Sequence, residues 1–243
     1  MPDNKSDLFA DHYVLFIDFL GFAEAAEHWD DGRAAALAIL LSELSTAQSS
    51  FEIDGSARQD GSGRIKIVPD ITTFSDHIVA SFPLAADIAL APHVIDPLLH
   101  EADRIVASIA FRALGIGLLI RGGLTYGKLF HQGRVVMGEA MNDAYRLERQ
   151  VASYPRIVVS PRIYSRLPAA DRPVRLLQDR DGVLHVNYFP ELIRQAASSA
   201  ERLRAWRATI DESIQRLEAV QALHQMAKWA WFKDRLEEAM REA

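Results

Sequence analysis

The run Tyr13-Val-Leu-Phe-Ile-Asp-Phe-Leu-Gly-Phe22 most limits what this chain can fold into. Five apolar or aromatic residues lead into a single carboxylate, Asp18, and a Gly-containing turn then precedes a helical pattern. An apolar run that is continuous rather than alternating is the mark of a central strand buried on both faces. An acid inside such a run is costly to bury unless something neutralises it. Two readings of Asp18 remain open at this point: a strand-end side chain capping the next turn, or a ligand to a divalent cation.

Further along, Ala23 to about Ser50 has helical spacing at Ala34, Leu37, Leu41 and Leu44, and Asp30-Asp31-Gly32 divides it into two helices. Residues 54 to 63 have loop composition. Arg64 to Val68 and His77 to Phe82 read as β-runs of one hairpin whose turn presents Asp76. Ala85 to Ala113 is helical, with a break expected at Pro92 and Pro97. Gly117 to Phe130 is a strand with Arg121-Gly122-Gly123 in its middle, where glycines mark a bulge or a close approach by a ligand or another backbone. Val135 to Met137 is its short partner. Glu139 to Val151 is a helix whose buried stripe is Ala140, Ala144, Leu147 and Val151. Arg156 to Val159 is a strand, and Ser160-Pro161 opens a short helix. Arg175 to Asp179 and Val183 to Tyr188 flank an Asp-Gly hairpin turn. From Pro190 onward two amphipathic helical segments are expected, broken near residues 197 to 201. Trp229, Trp231 and Phe232 in the last one are assigned to packing against the body or a second subunit. Mixed strands, helices and hairpins give an α+β class around a mostly antiparallel sheet.

Composition narrows the function. A net charge of -6 argues against a nucleic-acid scaffold. With no cysteine, disulfides and thiolate metal sites are excluded. The polar N-terminus lacks a signal-peptide apolar region, and no apolar run is long enough to span a bilayer, so no membrane partner and a cytoplasmic location are expected.

The chemistry converges on four features. If the hairpin bearing Asp76 lies beside the first strand, Asp18 and Asp76 meet at one sheet edge, where two acids repel unless protonated or bridged by metal. Oxygen-only ligation by aspartates suits Mg²⁺ or Mn²⁺ rather than zinc. Asn142 and Arg146, four apart on the helix, project together as an oxyanion or phosphate clamp, or else belong to an ordinary exposed face. Gly21 and the backbone around Phe22 offer N–H groups at a helix start, a place to hold phosphate.

These motifs carry a resemblance. Val14-Leu-Phe-Ile-Asp-Phe-Leu-Gly-Phe22 resembles the first strand of class III nucleotidyl cyclases, and Thr73-Phe-Ser-Asp76 resembles their second metal aspartate. Arg121-Gly-Gly-Leu-Thr-Tyr-Gly127 is similar to their fourth-strand signature, with Thr125 where histidine is common. Gly138-Glu-Ala-Met-Asn142-Asp-Ala-Tyr-Arg146-Leu-Glu148 is similar to their Asn-x-x-x-Arg helix. The likeness spans roughly residues 12 to 188. It implies a ferredoxin-like catalytic domain over 1–189 with a C-terminal helical extension over 190–243. It also implies two Mg²⁺ or Mn²⁺ ions per active site on Asp18 and Asp76 with the Phe19 carbonyl, a triphosphate cradle at Gly21 and Phe22, and a homodimer sharing Asn142 and Arg146 between its sites.

The base readers of the purine enzymes do not transfer. Asp70 and Val135 stand where those enzymes have a Lys and an Asp, and a valine there leaves a purine edge unpaired. In this the chain resembles the pyrimidine cyclases of bacterial Pycsar anti-phage systems. The resemblance implies conversion of UTP, the commoner substrate, or CTP to the 3′,5′-cyclic nucleotide, read by a separate cyclic-nucleotide-responsive effector protein. Arg121 is a candidate for the base pocket and Arg180 for the triphosphate. Alternatives are an adenylate or guanylate cyclase, and a catalytically dead cyclase-like sensor or dimerisation module. A palm-fold polymerase or diguanylate cyclase would need a Gly-Gly-Asp-Glu-Phe-like turn, which the sequence lacks.

Overall fold

A computed structural model describes residues 8–27, 31–46, 50–54, 63–84, 89–167, 175–197 and 200–242. Residues 55–62 of the expected loop, the first residues of the 85–113 segment and residues 198–199 lie outside these. The apolar run forms β1 (Ala10–Leu20), with Tyr13 through Ile17 completely or almost completely buried. It is central because it is paired on both sides. β5 (His77–Pro83) lies antiparallel along one edge, and β6 (Leu119–Gln132) lies antiparallel along the other. β4 (Asp70–Phe74) adds outside β5. Beyond β6 come β8 (Ile157–Val159), parallel to it, then β10 (Leu184–Val186) and β9 (Leu176–Gln178). β7 (Val135–Met137) folds back on the end of β6. The order β4-β5-β1-β6, with a crossover from β1 to β4 and another from β5 to β6, is a split βαβ, ferredoxin-like core. The class is α+β with a mostly antiparallel sheet.

Helices α1 (Phe22–Ala26) and α2 (Asp31–Thr46) follow β1. The hairpin bearing Asp76 differs from the expectation. Arg64–Ile67 is β3 and pairs with β2 (Phe51–Asp54) in a separate two-stranded sheet, and it is β4 that pairs with β5. Pro69, with no N–H to give a ladder, separates β3 from β4, and Ser75 at φ 52° closes a tight two-residue turn.

α3 (Pro92–Gly115) runs unbroken through Pro97, contrary to expectation. Pro92 occupies the first turn, where its missing N–H is unneeded, and Pro97 one turn later removes a single hydrogen bond that burial of Val94, Leu98 and Leu99 outweighs. α4 (Glu139–Gln150) buries Ala140 and Ala144 as predicted, but its third buried residue is the acid Glu148. Gly123 explains how close α4 lies: a Cβ there would strike the Ala144 carbonyl and Leu147. The close approach expected at this glycine is therefore by a helix backbone.

α5 (Pro161–Tyr164) follows β8. Among the described residues the C-terminal part forms three helices, not two: α6 (Phe189–Ala196), α7 (Ala200–Ala219) and α8 (Leu223–Glu242). The additional break has Gln221 in the left-handed region at φ 55°. Trp206, Ile210, Trp229, Phe232 and Leu236 join one hydrophobic cluster with β1, β5, β6 and α3, so these helices share the core of the sheet. Among the described residues no helix is long and apolar enough to cross a membrane.

Candidate active site

The site begins where β1 leaves the core. The β1–β5 register sets Asp18 opposite His77, and Asp76 precedes His77 in the tight turn. The Phe19 N–H donates to the Asp76 carbonyl at 3.2 Å, which pins the turn to the strand end. Ligand atoms of Asp18, Asp76 and His77 lie within 4.8 Å of one another, with Asp18 buried and the other two half-buried. His77 Nε2 is 3.5 Å from Asp18 Oδ1. Its Nδ1 is 3.0 Å from Asp76 Oδ1, although out of line for a hydrogen bond. Phe74 stacks on the His77 ring and Phe16 lies against it, fixing the imidazole. Two carboxylates form an oxygen donor pair suited to a hard divalent cation, and the imidazole beside them favours Mn²⁺ over Mg²⁺.

Arg121 sits on the other side of Asp18. It faces Asp18 across the β1–β6 pair, and its Nε donates to Asp18 Oδ2 at 3.0 Å. Its Nη2 is 2.5 Å from Glu148 Oε1. Burial pushes the Glu148 carboxyl up, while the Arg121 guanidinium opposes that rise and Asp18 adds to it. Arg121 is thus held between two acids. Lys228 of α8 completes this surround: burial lowers its pKa, the Arg121 charge lowers it further, and Asp18 opposes.

Gly21 ends the strand at φ +83° with nothing near its missing Cβ, and it is exposed, while Phe22 is half-buried. α1 after it is only five residues long, so the turn backbone rather than a helix dipole is what this stretch offers.

Asn142 and Arg146 are exposed and lie elsewhere. Arg146 pairs with Asp143 at 2.8 Å and lines a second cavity with Thr125, Leu147 and Ser160. Thr125 faces Val14, four residues along β1 from Asp18, so within one chain the Asn/Arg pair stands apart from the aspartates. Arg180 is exposed in the β9–β10 turn at the far edge of the sheet, between the two acids that hold Arg156.

Asp70 and Val135 border a polar cluster at the opposite end of β1. His131 of β6 bonds Thr72 through Nε2 and Ser81 through Nδ1, both at 2.8 Å, and Thr72 also donates to the Gly133 carbonyl. Burial lowers the pKa of both His131 and His12, and the Asp70 charge opposes it. Val135 follows closely on β7 and is half exposed. His12, Val14, Phe16 and Asp18 alternate onto one sheet face, so this cluster and the Asp18 site are the two ends of that face.

Sequence reasoning missed His77, Glu148 and Lys228. His77 had one signal, its adjacency to Asp76. Glu148 and Lys228 had none, because each sits in a helix pattern where a charged residue reads as solvent-facing.

No protein-family model matches this chain, and no curated protein does. Several solved structures are distantly similar, two of them as follows. A class III adenylyl cyclase-like ATP-binding protein from Pseudomonas aeruginosa superposes with a TM-score of 0.42 at 15% identity, over 78% of this chain and 40% of that one. A bacterial light-regulated adenylyl cyclase gives 0.37 at 17% identity, over 74% of this chain and 52% of that one. The chain thus spans about half or less of each, and at these scores neither likeness bears on its chemistry.

Proposed function

We propose that this protein is a nucleotidyl cyclase that converts a pyrimidine nucleoside triphosphate, UTP in preference to CTP, to its 3′,5′-cyclic monophosphate and pyrophosphate. The observation that carries the reading is the meeting of Asp18 and Asp76 at the β1–β5 edge, from motifs far apart in sequence. Two divalent ions held by Asp18, Asp76 and the Phe19 carbonyl would acidify the ribose 3′-hydroxyl and neutralise the β- and γ-phosphates. The hydroxyl oxygen bonds to the α-phosphorus, the bond from that phosphorus to the β-bridging oxygen breaks, and the hydroxyl proton passes to solvent. Arg146 holds the α-phosphoryl oxygens as charge builds there, and Asn142 holds the ribose. Arg121 keeps the Asp18 carboxylate in place, a role its two ion pairs favour over reading the base. Gly21 and the Phe22 backbone border the triphosphate. Asp70 and Val135 border the base.

The separation of the two half-sites within one chain supports a shared site in a head-to-tail homodimer. Asp18 stands at one end of a sheet face and the His131 cluster at the other, while α4 runs along the sheet with Asn142 and Arg146 exposed, so a two-fold pairing can bring the exposed pair of one chain to the aspartates of the other. Phe74, Val135, Met137 and Tyr145 are large apolar residues left exposed around this face. The cyclic product then acts through a separate effector protein, as in the anti-phage systems the sequence resembles. The ion pair of Arg121 on Asp18 favours a second reading, a nucleotide-binding module without turnover.

Incubation with each of the four NTPs and Mn²⁺, with products resolved by mass, tests the proposal. Cyclic UMP and pyrophosphate from UTP, lost in Asp76→Asn, are expected. Cyclisation of ATP or GTP instead overturns the pyrimidine assignment, and UTP binding without product establishes the second reading.

A further inference from the structure

We propose that the cavity between the β1–α1 turn, the start of β6 and the C-terminal helices is a polyphosphate subsite, with Lys228 and Arg216 as its anion-binding side chains. This deepens the reading above and rests on it only for the identity of the nucleotide that brings the polyphosphate.

The cavity measures about 370 Å³. Leu20 and Gly21 form one wall, Gly117 another, and the C-terminal helices the third through Arg216 of α7 and Lys228 and Trp229 of α8. Arg33 of α2 adds a further positive charge at the rim, and among the described residues no acid lines it. In a chain of net charge -6, a concave site whose charged lining residues are all cations, set among apolar ones, is a local reversal of sign. Neither Arg216 nor Lys228 makes a hydrogen bond or ion pair with a side chain among the described residues, unlike Arg121, Arg156 and Arg162. A partly buried lysine without a matched carboxylate is retained at a cost, and an anion would meet that cost.

Position points to the kind of anion. Leu20 and Gly21 lie two and three residues past Asp18, so by strand rise the cavity starts about 7–10 Å beyond that residue. Lys228 lines the cavity together with Leu20 and Leu119, and it is near enough to Asp18 and Arg121 to feel both charges. A chain of phosphates that starts at Asp18 and Asp76 therefore runs past Lys228 toward Arg216. Gly21, open at the position of its missing Cβ, leaves the turn backbone free to approach the phosphates. The C-terminal helices, which pack on the core, thereby also supply ligand-binding groups.

The test is titration of the full chain with inorganic tripolyphosphate in EDTA, followed by calorimetry and by the fluorescence of Trp229, which lines the cavity. Arg216→Gln and Lys228→Gln are each expected to weaken binding about 10-fold or more, while Lys233→Gln, which removes an equal charge from the same helix α8, leaves it unchanged. Arg216 is exposed, so its substitution keeps the fold even where Lys228→Gln does not. α,β-Methylene-UTP should displace tripolyphosphate and UMP should not. Affinity unchanged in the folded Arg216→Gln and Lys228→Gln proteins overturns the subsite. Failure of α,β-methylene-UTP to displace overturns its assignment to the nucleotide's tail. Because neither metal nor turnover is needed, a protein that cyclises nothing can still show this binding. Conversely, wild-type cyclisation and KM in both variants would remove this inference and leave the proposed function intact.

Discussion

Arg121 Nε donates to Asp18 Oδ2 at 3.0 Å, across a strand pair that joins residues 103 positions apart. The same guanidinium reaches Glu148, an acid only 3% exposed, so two buried or nearly buried carboxylates depend on one cation.

Substituting Arg121 by Met should therefore destabilise the fold by about 3–5 kcal/mol, since removing one partner of a buried pair leaves uncompensated charge. The Arg121→Met/Glu148→Gln double variant should recover a large part of that loss. Urea denaturation of the single and double variants measures both, and additive losses would show that Glu148 does not depend on Arg121.

Asp103 of α3 makes stability fall as pH rises. Burial pushes its carboxyl up to about 8, Arg175 opposes, and Glu191 and Asp96 add to the rise. Between the ordinary carboxylate value and about 8 the native state holds a proton that the unfolded state has lost. The stabilisation is thus complete below about pH 4 and lost as pH climbs through about 8, at up to roughly 1.4 kcal/mol per pH unit. Asp103→Asn should raise the melting temperature at pH 8 and flatten its dependence between pH 5 and 8. Differential scanning calorimetry across that range checks it.

Arg156 anchors the C-terminal helices to the sheet. It is fully buried and bonds Asp179 at 2.8 Å and Asp181 at 2.5 Å, and Trp231 Nε1 donates to the same Asp179 at 2.7 Å. Arg156→Ala should cost about 3–5 kcal/mol, and Trp231→Phe, which deletes one hydrogen bond and trims the indole to a phenyl ring, about 1–2 kcal/mol. Chemical denaturation that ranks the two in the reverse order would show that the ring rather than the ion pairs holds α8.

Shared active sites predict complementation. Asp76→Ala and Arg146→Ala should each be inactive alone. Mixed and allowed to exchange, they should recover roughly a quarter of wild-type activity, because half the dimers are mixed and each mixed dimer has one intact site. Native mass spectrometry that finds heterodimers without any recovered activity would place the whole site in one chain.

Much of this architecture is legible in local sequence. The Tyr13–Ile17 run reads as a doubly covered strand because it is one, paired on both edges and buried on both faces. The Asp-Gly hairpin at 181–182 and the Ala140/Ala144 stripe of α4 follow from turn chemistry and helical period. Local signals failed where long-range packing decided the outcome. Arg64–Ile67 has strand composition, which says nothing of whether its partner is β2 or β5. Pro97 signals a break that burial of the surrounding α3 residues overrode. Glu148 and Lys228 fit an exposed helix face in pattern, yet Glu148 is drawn inward by Arg121 and Lys228 is half-buried in the cavity beside Leu20 and Leu119.

The sequence by itself determined that β1 is a central strand and that Asp18 and Asp76 each stand at a strand end. Those are properties of short stretches, set by burial and turn chemistry. Only the tertiary structure decided that Asp18 meets Asp76 and His77 on one side and Arg121 on the other, with Lys228 over the same end of the sheet. The physical reason is register. A one-residue slip of β5 or β6 against β1 would turn these side chains to the opposite face, and the packing of the whole sheet, not any local motif, forbids that slip.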